Sequence, residues 1–255
     1  MVHTRKIISI LLIVTLFTGC IGLSVNAADN LLLPDYTMSK TEWDEYWKTV
    51  EGDNTQIALT PGADATELNF NWHSERKVSV PMVKIADNEK MENAKLFLGY
   101  STLADNDQQT NRVTVTGLEE NTKYYYSYSL GKDNWSEPTF YITHATDSFK
   151  ALLVGDIQCS AVDDGTGYKD ATSWNTTLNT ALKKYPDTSF IISCGDQTQT
   201  GASATEWAAT LSPKAMRNLP MATTIGNHDH KGSTYQHYVN NPNSQLVSTS
   251  KTGTP

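Results

Sequence analysis

Apolar and polar positions alternate with three different grammars along the chain. In residues 30–52, Trp43, Tyr46, Trp47 and Val50 fall at i, i+3, i+4 and i+7, the spacing of one helix face. A short helix packed on the following domain is predicted, with Ser39 or Thr41 as its cap. From residue 55 to about 146 the period becomes two. Leu68, Phe70 and Trp72 alternate with Asn69 and Asn71, Val113 and Val115 with Thr114 and Thr116, and Tyr124, Tyr126 and Tyr128 with Tyr125 and Ser127. Val78 and Val80 precede Pro81, and Phe140 and Ile142 end the series. Turn residues separate the runs at Pro61-Gly62, Asp105-Asn106-Asp107, Gly117, Gly131 and Asp133-Asn134. Short alternating strands without a helical stretch predict an all-β sandwich.

From residue 147 the apolar residues cluster. Ala151-Leu152-Leu153-Val154 and Phe190-Ile191-Ile192 are unbroken runs, which suit strands buried on both faces. Between them Trp174, Leu178, Ala181, Leu182 and Tyr185 keep helical spacing up to Pro186-Asp187. A second helix is predicted from about Ser203 through Trp207 and Leu211 towards Met216, and a third strand over 221–225. This β-α-β-α-β order implies a parallel sheet with right-handed crossovers. The predicted architecture is thus an amino-terminal all-β sandwich followed by an α/β domain. The segments are a leader (1–27), a helical segment (28–54), the sandwich (55–146) and the α/β part (147–255).

Composition changes this picture in three places. A net charge of -8 spread along the chain argues against a nucleic-acid surface, because phosphate backbones select basic patches. Arg5 and Lys6, the apolar run 7–16 and Val25-Asn26-Ala27 have the form of a signal peptide cleaved near Ala27. Export to the cell envelope or beyond is expected, with no membrane span in the mature chain. Phe17-Thr18-Gly19-Cys20 is similar to a lipobox, so lipidation of Cys20 is the alternative. Apart from Cys20 only Cys159 and Cys194 remain, which excludes a disulfide framework and leaves buried free thiols as the reading ahead of a single bridge.

The candidate chemistry lies at the three strand ends of the α/β part: Gly155-Asp156, Gly195-Asp196 and Gly226-Asn227-His228-Asp229. Ligands of open α/β sheets gather beyond the carboxyl ends of the strands. Two carboxylates, a carboxamide and an imidazole are therefore expected in one crevice, with hard oxygen donors suited to first-row cations. One such Gly-Asp alone would be read as a turn; three in order after apolar strands make a metal site the better reading.

These three motifs resemble the first three of the calcineurin-like metallophosphoesterases. The sandwich, with Leu59-Thr60-Pro61-Gly62, Phe70-Asn71-Trp72, Gly117-Leu118, Thr122-Lys123-Tyr124-Tyr125-Tyr126 and Trp135-Ser136, resembles the amino-terminal domain of purple acid phosphatases, a fibronectin type III-like module in which a strand-starting Tyr bonds back to the chain. The resemblance spans roughly 55–240. It implies hydrolysis of phosphate esters by a hydroxide on two metal ions, Fe, Mn or Zn. Asp156 would hold one ion, Asp196 bridge both and Asn227 hold the second. His228 would meet the phosphate and protonate the leaving oxygen, with Asp229 orienting its ring. The Tyr that purple enzymes carry three residues after the second Asp is replaced by Gln199, and Gln158 stands two after the first, where it offers at most a weak amide ligand. No coloured phenolate–iron centre is therefore expected. The later His ligands of the family are not found after His230, where only His237 follows, so the α/β part is expected to be the front portion of a catalytic domain. His230, His73 and His144 are expected to be ordinary loop, surface or core residues. The rival reading is an exported binding or adhesion protein with an inert α/β half. Substrate and oligomeric state are not legible.

Overall fold

The computed structural model describes residues 31–76, 80–105, 107–131, 133–162, 165–230 and 234–243. The leader with Cys20, the strand residue Val78, and the polar tail after 243 lie outside the described residues.

The predicted first helix is α1 (Lys40–Val50). Ser39 caps it: the Ser39 hydroxyl accepts from the Glu42 amide and the Glu42 carboxylate accepts from the Ser39 amide, satisfying two otherwise orphan donors at the helix start. Trp43, Trp47 and Val50 are buried, against Cys159, Ala171 and Ala209 of the α/β half.

Two antiparallel sheets form the sandwich. One has the order β1 (Ala58–Pro61), β2 (Leu68–Glu75), β6 (Gln108–Val115), β5 (Tyr100–Leu103). The other has the order β4 (Lys95–Leu98), β3 (Met82–Ala86), β7 (Lys123–Gly131), β8 (Asn134–Trp135), with β9 (Thr139–Ile142) also paired to β7. Leu68, Phe70, Trp72, Val83, Val113, Val115 and Tyr126 fill the space between them, each large side chain contributing about 1.5–3 kcal/mol by leaving water. Tyr124 accepts a hydrogen bond from the Glu119 amide at 2.9 Å, the backward bond expected of a strand-starting tyrosine. Chain passes from β4 to β5, and so between sheets, through Gly99, where a Cβ would stand 1.8 Å from the Arg112 carbonyl oxygen.

One expectation of the period-two pattern is modified. Asn69, Asn71 and His73, on the polar face of β2, are buried as fully as their apolar neighbours. That face carries the second half of the chain. Thr110 donates to the His237 carbonyl at 2.6 Å, Asn71 reaches the Val239 carbonyl at 3.5 Å, and Arg112 donates to the Gln236 carbonyl. Polar residues suit this face because they answer backbone groups that would otherwise be stranded.

The α/β half contains β10 (Ala151–Val154), α2 (Tyr168–Lys184), β11 (Phe190–Ser193), α3 (Ala204–Leu211), a 3-10 turn (Lys214–Arg217), β12 (Met221–Thr223) and the short α4 (Tyr235–Tyr238). The sheet is parallel, in the order β10-β11-β12. The predicted second helix stops at Leu211 because Ser212 leads into Pro213, and the chain continues as the 3-10 turn; proline disfavours helix for the residue before it. The strands are not all buried on both faces: Leu152 and Val154 pack on the core, but Leu153 is 70% exposed on the edge strand β10. Among the described residues no helix is long and apolar enough to cross a membrane.

Candidate metal and phosphate site

The chain turns sharply after each parallel strand, and hydrogen bonds join the three turns. Asp156 donates its amide to the Gly195 carbonyl at 3.3 Å, Gln158 to the Asp196 carbonyl at 2.8 Å, and Gly201 to the His228 carbonyl at 3.2 Å. The turns also pack without intervening side chains. A Cβ on Gly195 would lie 2.8 Å from the Gly226 Cα, and one on Gly226 would lie 2.0 Å from Asp196 Oδ1. Gly195 and Gly226 are thus needed for close approach of the loops, whereas a Cβ on Gly155 would meet only Cys194 Cβ, at 3.7 Å. Asp156, Gln158 and Asp196 all have positive φ, at 51°, 42° and 53°. Non-glycine residues held there cost about 1–3 kcal/mol each, and such strain concentrates at functional sites.

The carboxylates differ in environment. Asp156 and Asn227 are exposed at the mouth. Asp196 is 8% exposed; its Oδ1 accepts from the His228 amide at 2.8 Å, and its other oxygen receives no hydrogen bond from the described residues. No Lys or Arg among them pairs with it. A buried carboxylate with so few donors is poorly compensated, and a cation is the partner its chemistry calls for.

Asp229 is fully buried and its oxygens are spoken for. Oδ1 accepts from the amides of Gln197 at 3.0 Å and Thr198 at 3.3 Å and from the Thr198 hydroxyl at 3.4 Å; Oδ2 accepts from the Gly226 amide at 2.9 Å. The expectation that Asp229 orients the His228 ring is therefore corrected. The ring is oriented by the Gln199 carbonyl, which accepts from Nδ1 at 2.8 Å. A carbonyl can only accept, so Nδ1 carries the proton, and Nε2 of the neutral ring is an acceptor. Nε2 faces the Gln158 amide nitrogen at 3.2 Å, and that same nitrogen donates to Gln199 Oε1 at 2.7 Å. The two glutamines thus grip the imidazole from both sides. Sequence reasoning missed the Gln199 backbone, which no side-chain motif signals.

Of the remaining expectations, His230 is exposed and its Nδ1 donates to the Asn227 carbonyl at 2.5 Å. Cys159 and Cys194 are not bridged to each other; Cys159 is buried, but Cys194 is exposed, so only one fits the buried-thiol reading. Among the described residues no group of three or more His, Cys, Asp or Glu side chains is gathered to hold a metal. The strand ends carry two carboxylates, Asp156 and Asp196, and the Asn227 and Gln158 carboxamides. Oxygens of this kind fit a hard cation.

The strained, glycine-packed turns lie at the ends of three parallel strands, and residues 149–252, which contain them, match the calcineurin-like phosphoesterase family. Residues 54–143 match the purple acid phosphatase N-terminal domain. The two matches together span most of the chain: a purple acid phosphatase-type amino-terminal domain, then a region of the calcineurin-like phosphoesterase family. Among solved structures the chain is similar to purple acid phosphatase PPD1 from yellow lupin (Lupinus luteus) seeds, with a TM-score of 0.53 and 19% identity. That match covers 68% of this chain and 35% of the lupin chain, and it supports the fold alone. The sensor domain of the anti-sigma factor RsgI4 of Pseudobacteroides cellulosolvens matches at a TM-score of 0.28 and 15% identity, over 37% of this chain and 78% of that one, too low to carry an argument. No curated protein matches the sequence.

Proposed function

We propose that the strand-end crevice hydrolyses phosphate esters with the help of a pair of bound cations, held by Asp156, Asp196, Asn227 and, weakly, Gln158. The observation that carries this reading is Asp196: a buried carboxylate in strained backbone, with a single backbone donor and no cationic side chain to balance it among the described residues. Bound cations would polarise phosphoryl oxygens and acidify a water. His228 sits beside them with its ring fixed by the Gln199 carbonyl, and its Nε2 is the atom placed to exchange a proton with an ester oxygen once Gln158 yields to substrate. Asp229 acts through the backbone, holding the turns 197–198 and 226 in place. Gln199 in the position of the colour-giving tyrosine supports a colourless Fe, Mn or Zn centre. The signal at 1–27 would place this chemistry outside the cytoplasm.

The test is metal binding followed by turnover. Manganese or zinc titrated into the chain should show occupancy that falls by at least about 10-fold in Asp196→Asn, the scale on which even supporting residues of metal sites act. Hydrolysis of p-nitrophenyl phosphate is measured on metal-supplemented protein from acid to neutral pH, beside Asp196→Ala. His228→Ala should lower any Asp196-dependent turnover by about 10²–10⁴ with metal content kept, the range for a lost proton-transfer group. Metal uptake indifferent to Asp196 would refute the site, and loss of metal in His228→Ala would make His228 a ligand.

A further inference from the structure

At the opposite end of β12 from the strand-end turns, α1, β9 and the 3-10 turn Lys214–Arg217 line an open cleft of about 380 Å³. The 3-10 turn precedes β12, whereas the site described above follows it, so the two lie at opposite ends of the same strand. Its polar wall is formed by Tyr36, Tyr46, Thr49, Asp53, Lys214 and Arg217.

Two cations share one aromatic ring there. Lys214 Nζ lies 4.7 Å from the Tyr46 ring centroid and the Arg217 guanidinium carbon 6.0 Å from it. Arg217 is held from behind by neutral acceptors, donating to the Tyr46 hydroxyl at 2.6 Å and to Gln56 Oε1 at 3.3 Å. Gln56 is buried and anchored in turn to the carbonyls of Asp53 and Ala208, each at 2.9 Å. Tyr46 donates its hydroxyl to the Ser212 carbonyl at 3.0 Å. The guanidinium is thus fixed, with donors to spare out of its five.

Neither Lys214 nor Arg217 forms an ion pair with a carboxylate among the described residues. The one acid in the lining, Asp53, spends its Oδ1 on the Thr55 amide at 2.9 Å and the Thr55 hydroxyl at 2.6 Å. Like charges three residues apart on one helical face repel. Glu42 on α1 feels Lys214 at a distance but forms no ion pair with it; in a chain of net charge -8, two cations around one cavity against a single lining carboxylate ask for an anion. Neutral donors complete the wall: Thr139 accepts from Asn218 at 3.1 Å, leaving its own hydroxyl proton to give.

We propose that this pocket binds a tetrahedral dianionic oxyanion, namely phosphate or the phosphoryl end of a phosphomonoester. A planar fork, a point charge and hydroxyl donors together match several oxygens of one phosphoryl group better than the two of a carboxylate. This site is independent of the strand-end site and needs no metal.

The experiment titrates inorganic phosphate into the whole chain with chelator present, followed by calorimetry. Saturable binding with a dissociation constant on the order of 1 mM is expected, weakening as sodium chloride is raised. Arg217→Gln should weaken it by about 10-fold or more, as loss of a charge-assisted donor does. Because Arg217 also ties Tyr46 and Gln56, Lys214→Gln is the second variant; its side chain is exposed and its loss leaves the fold intact, with a weakening of about 3–10-fold expected. Asp196→Ala should leave the affinity unchanged. Glycerol phosphate is titrated in parallel: binding equal to that of phosphate identifies the phosphoryl end of a larger molecule, and binding of phosphate alone identifies the free ion. The proposal is overturned if no saturable binding occurs up to about ten times the expected constant, or if affinity is unchanged in both variants. It is equally overturned if binding survives both but is lost in Asp196→Ala, which would assign the anion to the strand-end site.

Discussion

Acid should loosen the joint between the sandwich and the α/β half through His73. This residue is 3% exposed on β2, its ring 4.4 Å from that of Tyr238 in α4, and its Nδ1 has no hydrogen-bond partner among the described residues. The charged or titratable groups around it are His237 on α4, Arg112 on β6 and Asp105 in the turn before β6. Burial, reinforced by His237 and Arg112, pushes the His73 imidazole down from 6.5 to about 4, although Asp105 and a backbone bond to Asn54 pull the other way. The folded state therefore disfavours the proton relative to the unfolded chain. The stability is fully present above pH 6.5 and is lost as the pH falls towards 4. A displacement of that size is worth about 3 kcal/mol, a large share of the roughly 5–15 kcal/mol that holds a domain together. His237, 8% exposed, is pushed the same way by burial and adds to the effect. Urea denaturation at pH 7 and pH 4.5 should show wild-type chain losing more stability on acidification than His73→Gln, by about 2–3 kcal/mol. Equal losses in the two proteins would refute the reasoning, since carboxylates common to both would then account for all of the decline.

Asp229→Ala leaves the amides of Gly226, Gln197 and Thr198 without their acceptor; it should cost about 3–5 kcal/mol in chemical denaturation, whereas Asp156→Ala at the exposed mouth should cost less than about 1 kcal/mol. Comparable losses in the two would mean that Asp229 is no strut. Leu153→Lys on the open edge strand should raise the concentration at which the chain stays monomeric in light scattering while changing stability by no more than about 0.5 kcal/mol; a large destabilisation would show that Leu153 is covered.

Much of this molecule is legible before any coordinates. The i, i+3, i+4, i+7 aromatics located α1, and the unbroken apolar runs located β10 and β11, because those patterns follow from burial of one stripe or of a strand interior. Legibility fails where burial does not alternate. Residues 95–103 form two edge strands with most side chains exposed, so nothing in their pattern announces β4, β5 or the switch of sheets at Gly99. At the site, residue types and order pointed to the strand ends because glycine and aspartate are demanded by close approach and by charge. The partners could not be read, since Asp229 bonds to backbone amides and His228 to a backbone carbonyl. Every residue carries those groups, and only the fold selects which of them meet.

The segment before the first matched domain has a consequence for how this protein can be divided. Leu33 donates its amide to the Pro186 carbonyl at 2.8 Å, Tyr36 its hydroxyl to Asn218 at 2.8 Å, and Trp43 its indole to Thr172 at 2.8 Å. Residues 31–50 thus brace the half of the chain that follows the sandwich, more than 100 residues further on. A fragment beginning near residue 149, where the second family match starts, would strip α2 of Trp43 and Trp47 and uncover the Cys159–Ala171–Ala209 patch beneath them. The unit that the family match delimits and the unit that packs together therefore have different borders here, and any transplant of the α/β half has to carry this amino-terminal brace along with it.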